Sequence, residues 1–167
     1  MLPVPTSSQR PGLFSIILLT GLLAGTLDAL AAIAHFRIAG GGNPLRIFQY
    51  IASGVLGQQA FTAAWPMALY GICFHYLIAW AFTAFFFVVY PAGRILRFNR
   101  IVAGLLYGIF VWLVMNLAVL PLSRVPRPAL QLLPAVIGIV ILMLMIGLPV
   151  ALMAHRFYAR RAKGPAA

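Results

Sequence analysis

Asp28 is the only acidic residue among 167, and it lies inside an apolar stretch, residues 13–36, that is long enough to cross a bilayer. An Asp at the centre of a membrane helix costs about 3 kcal/mol on insertion scales, so it is generally paired or functional. His75 and Asn116 lie in two further apolar stretches, and His35 lies near the end of the first. A carboxylate and an imidazole can exchange a proton or hold a cation, and an amide can orient the ligand. These four residues form the candidate binding site.

The composition indicates a polytopic membrane protein. Hydrophobic residues make up 63% of the chain and charged residues 8%, whereas soluble domains carry roughly a quarter charged residues. The 12 basic residues lie at the ends of apolar stretches, which is typical of membrane topology signals and excludes a nucleic-acid partner. The lipid bilayer is therefore the expected partner. The single Cys73 excludes an intrachain disulfide and a multi-cysteine metal site.

Apolar stretches and turn signals predict an all-α integral membrane bundle of four transmembrane helices plus one short interfacial amphipathic helix. The predicted spans are about 13–36, 64–90, 101–120 and 130–158, and together they form a single membrane domain over 13–158. Residues 1–12 are a polar arm, and residues 159–167 form a basic tail.

The interfacial helix is predicted at about 44–56, because this segment is too short to span and begins with an Asn cap followed by Pro. Its side chains separate onto two faces, as in a helix that lies in the membrane interface or folds back over the bundle. The apolar face has Leu45, Phe48, Ile51 and Val55, and the polar face has Arg46, Gln49 and Ser53. With Gln58 and Gln59, this helix could cover the candidate site.

Basic residues predict the orientation, because cytoplasmic loops carry more Arg and Lys. One side has Arg10, Arg94, Arg97, Arg100, Arg156, Arg160, Arg161 and Lys163, and the other has Arg37, Arg46, Arg124 and Arg127. Both termini are therefore expected in the cytoplasm. At ~1.5 Å per residue, Asp28 would lie roughly 12 Å, His75 roughly 16 Å and Asn116 roughly 6 Å below the outer boundary, with His35 close to it. The four residues thus converge in the outer half of the bundle.

Each candidate also has a purely structural interpretation. Asp28 could be a hydrogen-bonding group that joins the first two spans, and His75 an interior histidine with satisfied nitrogens. Asn116 could bond between helices, and His35 could be an interfacial residue. No nucleotide-binding, zinc-protease or nucleophile-elbow motif is present, and one acid cannot form a carboxylate pair. The sequence therefore predicts no enzyme, no metal and no cofactor.

Four stretches, Gly25–Ala32, Asn43–Gly57, His75–Ala79 and Trp112–Pro121, resemble a family of small four-span bacterial membrane proteins without an established activity. The resemblance covers most of residues 21–150. It implies a multi-pass protein of the bacterial inner membrane. It assigns no catalytic or binding residue.

Three functional hypotheses follow. The preferred one is small-solute, ion- or proton-coupled transport, or ligand binding, with Asp28 as acceptor, His75 as its partner, and Asn116 and His35 completing the site. Four spans are few for a transport path, so this hypothesis favours a homo-oligomer. The second is a non-catalytic accessory or assembly subunit of a larger membrane complex. The third is haem or redox binding through His75, although pairing with His35 would have to bridge a depth difference of roughly 15 Å.

Overall fold

The computed structural model describes residues 12–93, 99–125 and 131–162, and it confirms the predicted fold class. The described residues are 87% helical and contain no strand. The helices are α1 (Leu13–Ile38), α2 (Leu45–Leu56), α3 (Ala64–Val89), α4 (Arg100–Leu122) and α5 (Leu132–Ala162). All except α2 are long and apolar enough to cross a membrane.

The helix ends follow backbone capping and not hydropathy alone. Helix α1 continues two residues past its predicted span and ends at Ile38. Gly40 follows with a φ of +82°, which allows the Gly41 amide to reach the Phe36 carbonyl at 2.8 Å. The Asn99 side chain begins α4 by accepting from the Ile101 amide at 2.9 Å. Helix α5 extends to Ala162, which includes part of the predicted tail. The predicted arm, apart from residue 12, and the residues Arg10, Arg94, Arg97, Arg127 and Lys163 lie outside the described residues.

The four long helices alternate in direction. This follows from their contacts, in which residues early in one helix meet residues late in the neighbouring helix. Trp80 of α3 contacts Gly21 of α1, Phe86 of α3 packs on Tyr107 of α4, and Gly147 of α5 meets Gly104 of α4. The end of α5 lies beside the end of α3, where the Tyr158 hydroxyl donates to the Phe87 carbonyl at 2.8 Å. The start of α1 and the end of α5 therefore share one end of the bundle, the terminal end, and α2 lies at the other, the α2 end.

Most of the large buried side chains lie toward the terminal end. This core is rich in aromatic rings and includes Phe86, Phe87, Tyr90, Tyr107 and Phe157. Leucine, isoleucine and valine side chains cover much of the outer surface, as expected for helices that face lipid.

Helix α2 packs along α3, and part of its polar face is buried. Gln49 and Ser53 are buried, at 6% and 0% exposed, whereas Val55 is 56% exposed. Burial is affordable because each polar group bonds a nearby carbonyl: the Gln49 amide donates to Ala60 at 3.1 Å and the Ser53 hydroxyl to Tyr50 at 2.7 Å. Arg46 of the same face is exposed. The side chains of α2 therefore serve its packing on the bundle.

Candidate functional site

A cavity of about 100 Å³ lies among all five helices. Asp28 of α1 and His75 of α3 are the two ionisable side chains among the described residues that line it. The rest of the lining is apolar and consists of Ile51, Ile78, Ala79, Phe82, Val111, Met115, Leu142 and Ile146. The cavity therefore combines one carboxylate and one imidazole with a hydrophobic wall.

Helix geometry explains why Asp28 and His75 meet. Asp28 lies ten residues before the end of α1, and His75 lies eleven residues after the start of α3. At ~1.5 Å per residue, both are about 15 Å from the α2 end of these antiparallel helices. Asp28 and His75 therefore lie at a similar depth, as the spacing along the sequence predicts, and they line one cavity.

Contacts between α1 and α3 fix the register of the pair. The Thr26 hydroxyl donates to the Leu22 carbonyl at 2.7 Å and accepts from the Tyr76 hydroxyl at 2.9 Å. The Trp80 indole donates to the Leu18 carbonyl at 3.1 Å. Both inter-helix bonds lie on the terminal-end side of Asp28 and His75, and they fix the register of α1 against α3.

The His75 ring is oriented by one hydrogen bond and two aromatic neighbours. Its Nε2 lies 2.8 Å from the Gly25 carbonyl oxygen, so this nitrogen carries the proton and donates. The rings of Phe48 and Tyr76 meet the imidazole edge-on, with centroids 6.4 Å and 5.4 Å away. With Nε2 engaged, Nδ1 is the nitrogen left for a ligand.

The Asp28 carboxylate is partly buried and has no hydrogen-bond donor among the described residues. No described basic nitrogen lies within the 4.0 Å of an ion pair. A carboxylate in a membrane helix normally finds a partner within the protein. Asp28 is therefore the feature of the cavity that a proton, a cation or a hydrogen-bonding ligand would satisfy.

Two π-helical turns border the cavity, Met115–Val119 in α4 and Met143–Gly147 in α5. Met115 of the first turn and Ile146 of the second are lining residues. A π-turn inside an α-helix is rare and is frequent at functional sites. Such turns locally widen the helix, and the sequence pattern gave no signal for either.

The structure does not bring Asn116 or His35 to this cavity. The Asn116 amide donates to the Trp112 carbonyl of its own helix at 2.9 Å, so it stabilises the first π-turn. His35 lies three residues before the end of α1. Neither is among the residues that line the cavity. The predicted depths were similar, but depth does not determine which way a side chain points around its helix.

A polar pair that the sequence did not predict lies at the terminal end. Tyr90 is 1% exposed, and its hydroxyl lies 2.9 Å from Nδ1 of His155. The Tyr158 ring stacks on Tyr90 with centroids 5.5 Å apart. The three-residue spacing of His155 and Tyr158 places both on one face of α5. This spacing is the signal in the sequence that could have indicated a polar contact here. It joins α5 to the end of α3.

Within the described ranges, no group of three or more His, Cys, Asp or Glu residues could hold a metal ion. The cavity offers two ligating side chains, Asp28 and His75. Comparison of this chain with protein-family models, curated proteins and solved structures finds no match. The function is therefore inferred from the cavity itself.

Proposed function

We propose that this protein is a small membrane transport protein in which Asp28 binds a proton or a small cation and His75 assists it. The observation that supports the proposal is a partly buried membrane carboxylate, without a hydrogen-bond donor among the described residues, beside a cavity that it shares with an imidazole. Unpaired acids at membrane depth commonly mark ion pathways and proton relays.

The size of the cavity favours a proton or a small cation over a larger solute. Its volume of about 100 Å³ has room for several water molecules but not for a sugar or a nucleotide. Its eight other lining side chains are apolar, so they offer few hydrogen bonds to an organic solute. The expected ligand is therefore one that a single carboxylate and a single imidazole nitrogen can hold.

The same geometry gives less support to haem binding. The Nε2 of His75 is already bonded to Gly25, and the cavity is small beside a macrocycle.

The proposal places the protein in the bacterial inner membrane with both termini in the cytoplasm, which would put the α2 end and the cavity toward the outer face. We also propose that the transport path is completed in a homo-oligomer, because the cavity of Asp28 and His75 is small for a transport path.

Flux measurements in proteoliposomes test the proposal. Wild-type protein should carry protons after a pH jump, or sodium or potassium down a gradient, as followed by a dye inside the vesicles. Asp28→Asn keeps the side-chain shape but removes the charge and should reduce the flux to that of protein-free vesicles. Flux without added alkali cations would identify the proton as the ligand, and flux that requires sodium or potassium would identify the cation.

The matched control is Thr20→Val, which also alters a polar group within α1. Thr20 is fully buried, its hydroxyl has no hydrogen-bond partner in the described part of the chain, and it does not line the cavity. Replacing an unpartnered hydroxyl by a methyl group is neutral or stabilising, so this variant should transport at the wild-type rate. Asp28→Asn protein that folds, elutes as wild type and retains more than half of the flux would contradict the proposal.

A further inference from the structure

A second and larger cavity opens at the α2 end, between the end of α1 and the outer side of α2. This cleft has a volume of about 680 Å³. Its lining residues are Phe36, Gly42, Asn43, Arg46, Ile47, Tyr50 and Phe61. It is separate from the cavity of Asp28, with which it shares no lining residue.

The positive charge in this cleft has no counter-charge among the residues that the structure describes. Arg46 is the charged side chain among the described lining residues, it is exposed, and no described group pairs with its guanidinium. Asp28, the only acidic side chain in the sequence, belongs to the other cavity. The neighbouring Arg37 donates to the Gly42 carbonyl at 2.9 Å and adds a second cation at the rim. The cleft is therefore complementary to an anion.

The walls of the cleft are apolar and aromatic. Phe36, Ile47, Tyr50 and Phe61 supply them, and the Tyr50 and Phe61 side chains remain 38% and 42% exposed. Phe36 lies two residues before the end of a membrane-spanning helix, which is the depth of lipid phosphates and of aromatic belts. A ligand with an anionic head and an apolar body would match both the positive charge of Arg46 and the apolar walls of the cleft.

We propose that this cleft binds one anionic phospholipid. Arg46 pairs with the phosphate, and the rings of Phe36, Tyr50 and Phe61 contact the upper acyl chains. Guanidinium groups suit phosphate oxygens because their donors form a planar fork. This inference goes beyond the transport proposal and does not depend on it, since it uses different residues and a binding readout.

Native mass spectrometry tests the inference. The purified protein is incubated with equimolar phosphatidylglycerol and phosphatidylcholine of identical chains, and the retained lipid is counted. Wild type should retain phosphatidylglycerol preferentially. Arg46→Gln should reduce this retention about fivefold, which corresponds to the ~1 kcal/mol expected for one basic side chain at an anionic lipid surface. Arg46→Lys should keep most of it.

Arg124→Gln is the matched control, because Arg124 lies at the same end, is exposed and does not line the cleft. It should retain phosphatidylglycerol as wild type does. Tyr50→Ala should lower retention, and inorganic phosphate at millimolar concentration should compete weakly because it lacks the acyl chains. Equal losses in Arg46→Gln and Arg124→Gln, equal retention of both lipids, or complete displacement by phosphate would overturn the inference.

Discussion

At the scale of single residues, His75 has two separable roles. Its Nε2 proton bonds the Gly25 carbonyl and so joins α3 to α1, while its other nitrogen is left for the cavity. A structural role needs a hydrogen-bond donor at this position. A role in transport needs a nitrogen that can accept a proton or hold a cation, which Nδ1 of the imidazole supplies.

Substitution with Gln and with Leu separates these roles. Gln can donate to Gly25 and Leu cannot, so His75→Leu should lower the free energy of unfolding in detergent by about 1 kcal/mol and His75→Gln by less. Both variants should lose most of the flux, because neither side chain titrates. Wild-type flux in His75→Gln would show that the imidazole only holds the two helices together.

At the scale of elements, close backbone contact holds α2 over the cavity. Gly71 of α3 lies directly beneath the Phe48 carbonyl of α2, and a Cβ atom at Gly71 would overlap that oxygen. Ile51, less than one turn further along α2, lines the cavity. The distance between α2 and α3 therefore sets how well the cavity is covered.

Gly71→Ala should push α2 away and cost about 1–3 kcal/mol of stability, the usual range for overpacking. Gly54→Ala is the control on α2 itself, since its Cβ would meet Ser123 and Val125 at an ordinary 3.6 Å. That change should be neutral or stabilise by up to about 1 kcal/mol, because Ala favours helices. Thermal unfolding in detergent measures both, and equal midpoints would argue against the close contact.

At the scale of the whole molecule, hydropathy and the positions of Gly and Pro were sufficient to predict the architecture. Apolar length sets the number of spans, and Gly and Pro mark their ends, so the four long helices and α2 followed from the sequence. The meeting of Asp28 and His75 was predictable because both lie at equal distance from one end of antiparallel helices. The absence of Asn116 from this cavity was not predictable, because it depends on the amide bonding a carbonyl of its own helix, that of Trp112.

The details that depend on neighbouring helices were not predictable. The burial of Gln49 depends on a carbonyl at Ala60, which the chain reaches only after the turn that follows α2. The π-turn of α5, Met143–Gly147, lies where this helix packs closely on Gly104 and Gly108 of α4. The sequence pattern of a segment describes one helix at a time and carries no information about contacts between helices.

The composition of the molecule provides the most direct test of Asp28. Because the sequence has one acidic side chain, its carboxyl absorption in the infrared comes from Asp28 and the C-terminus alone. Difference spectra recorded as the pH or the cation concentration is changed should contain a band that Asp28→Asn removes and Thr20→Val retains. That band should change over the same range in which flux is activated. A carboxyl band that stays constant while flux rises would contradict the assignment of Asp28 as the binding group.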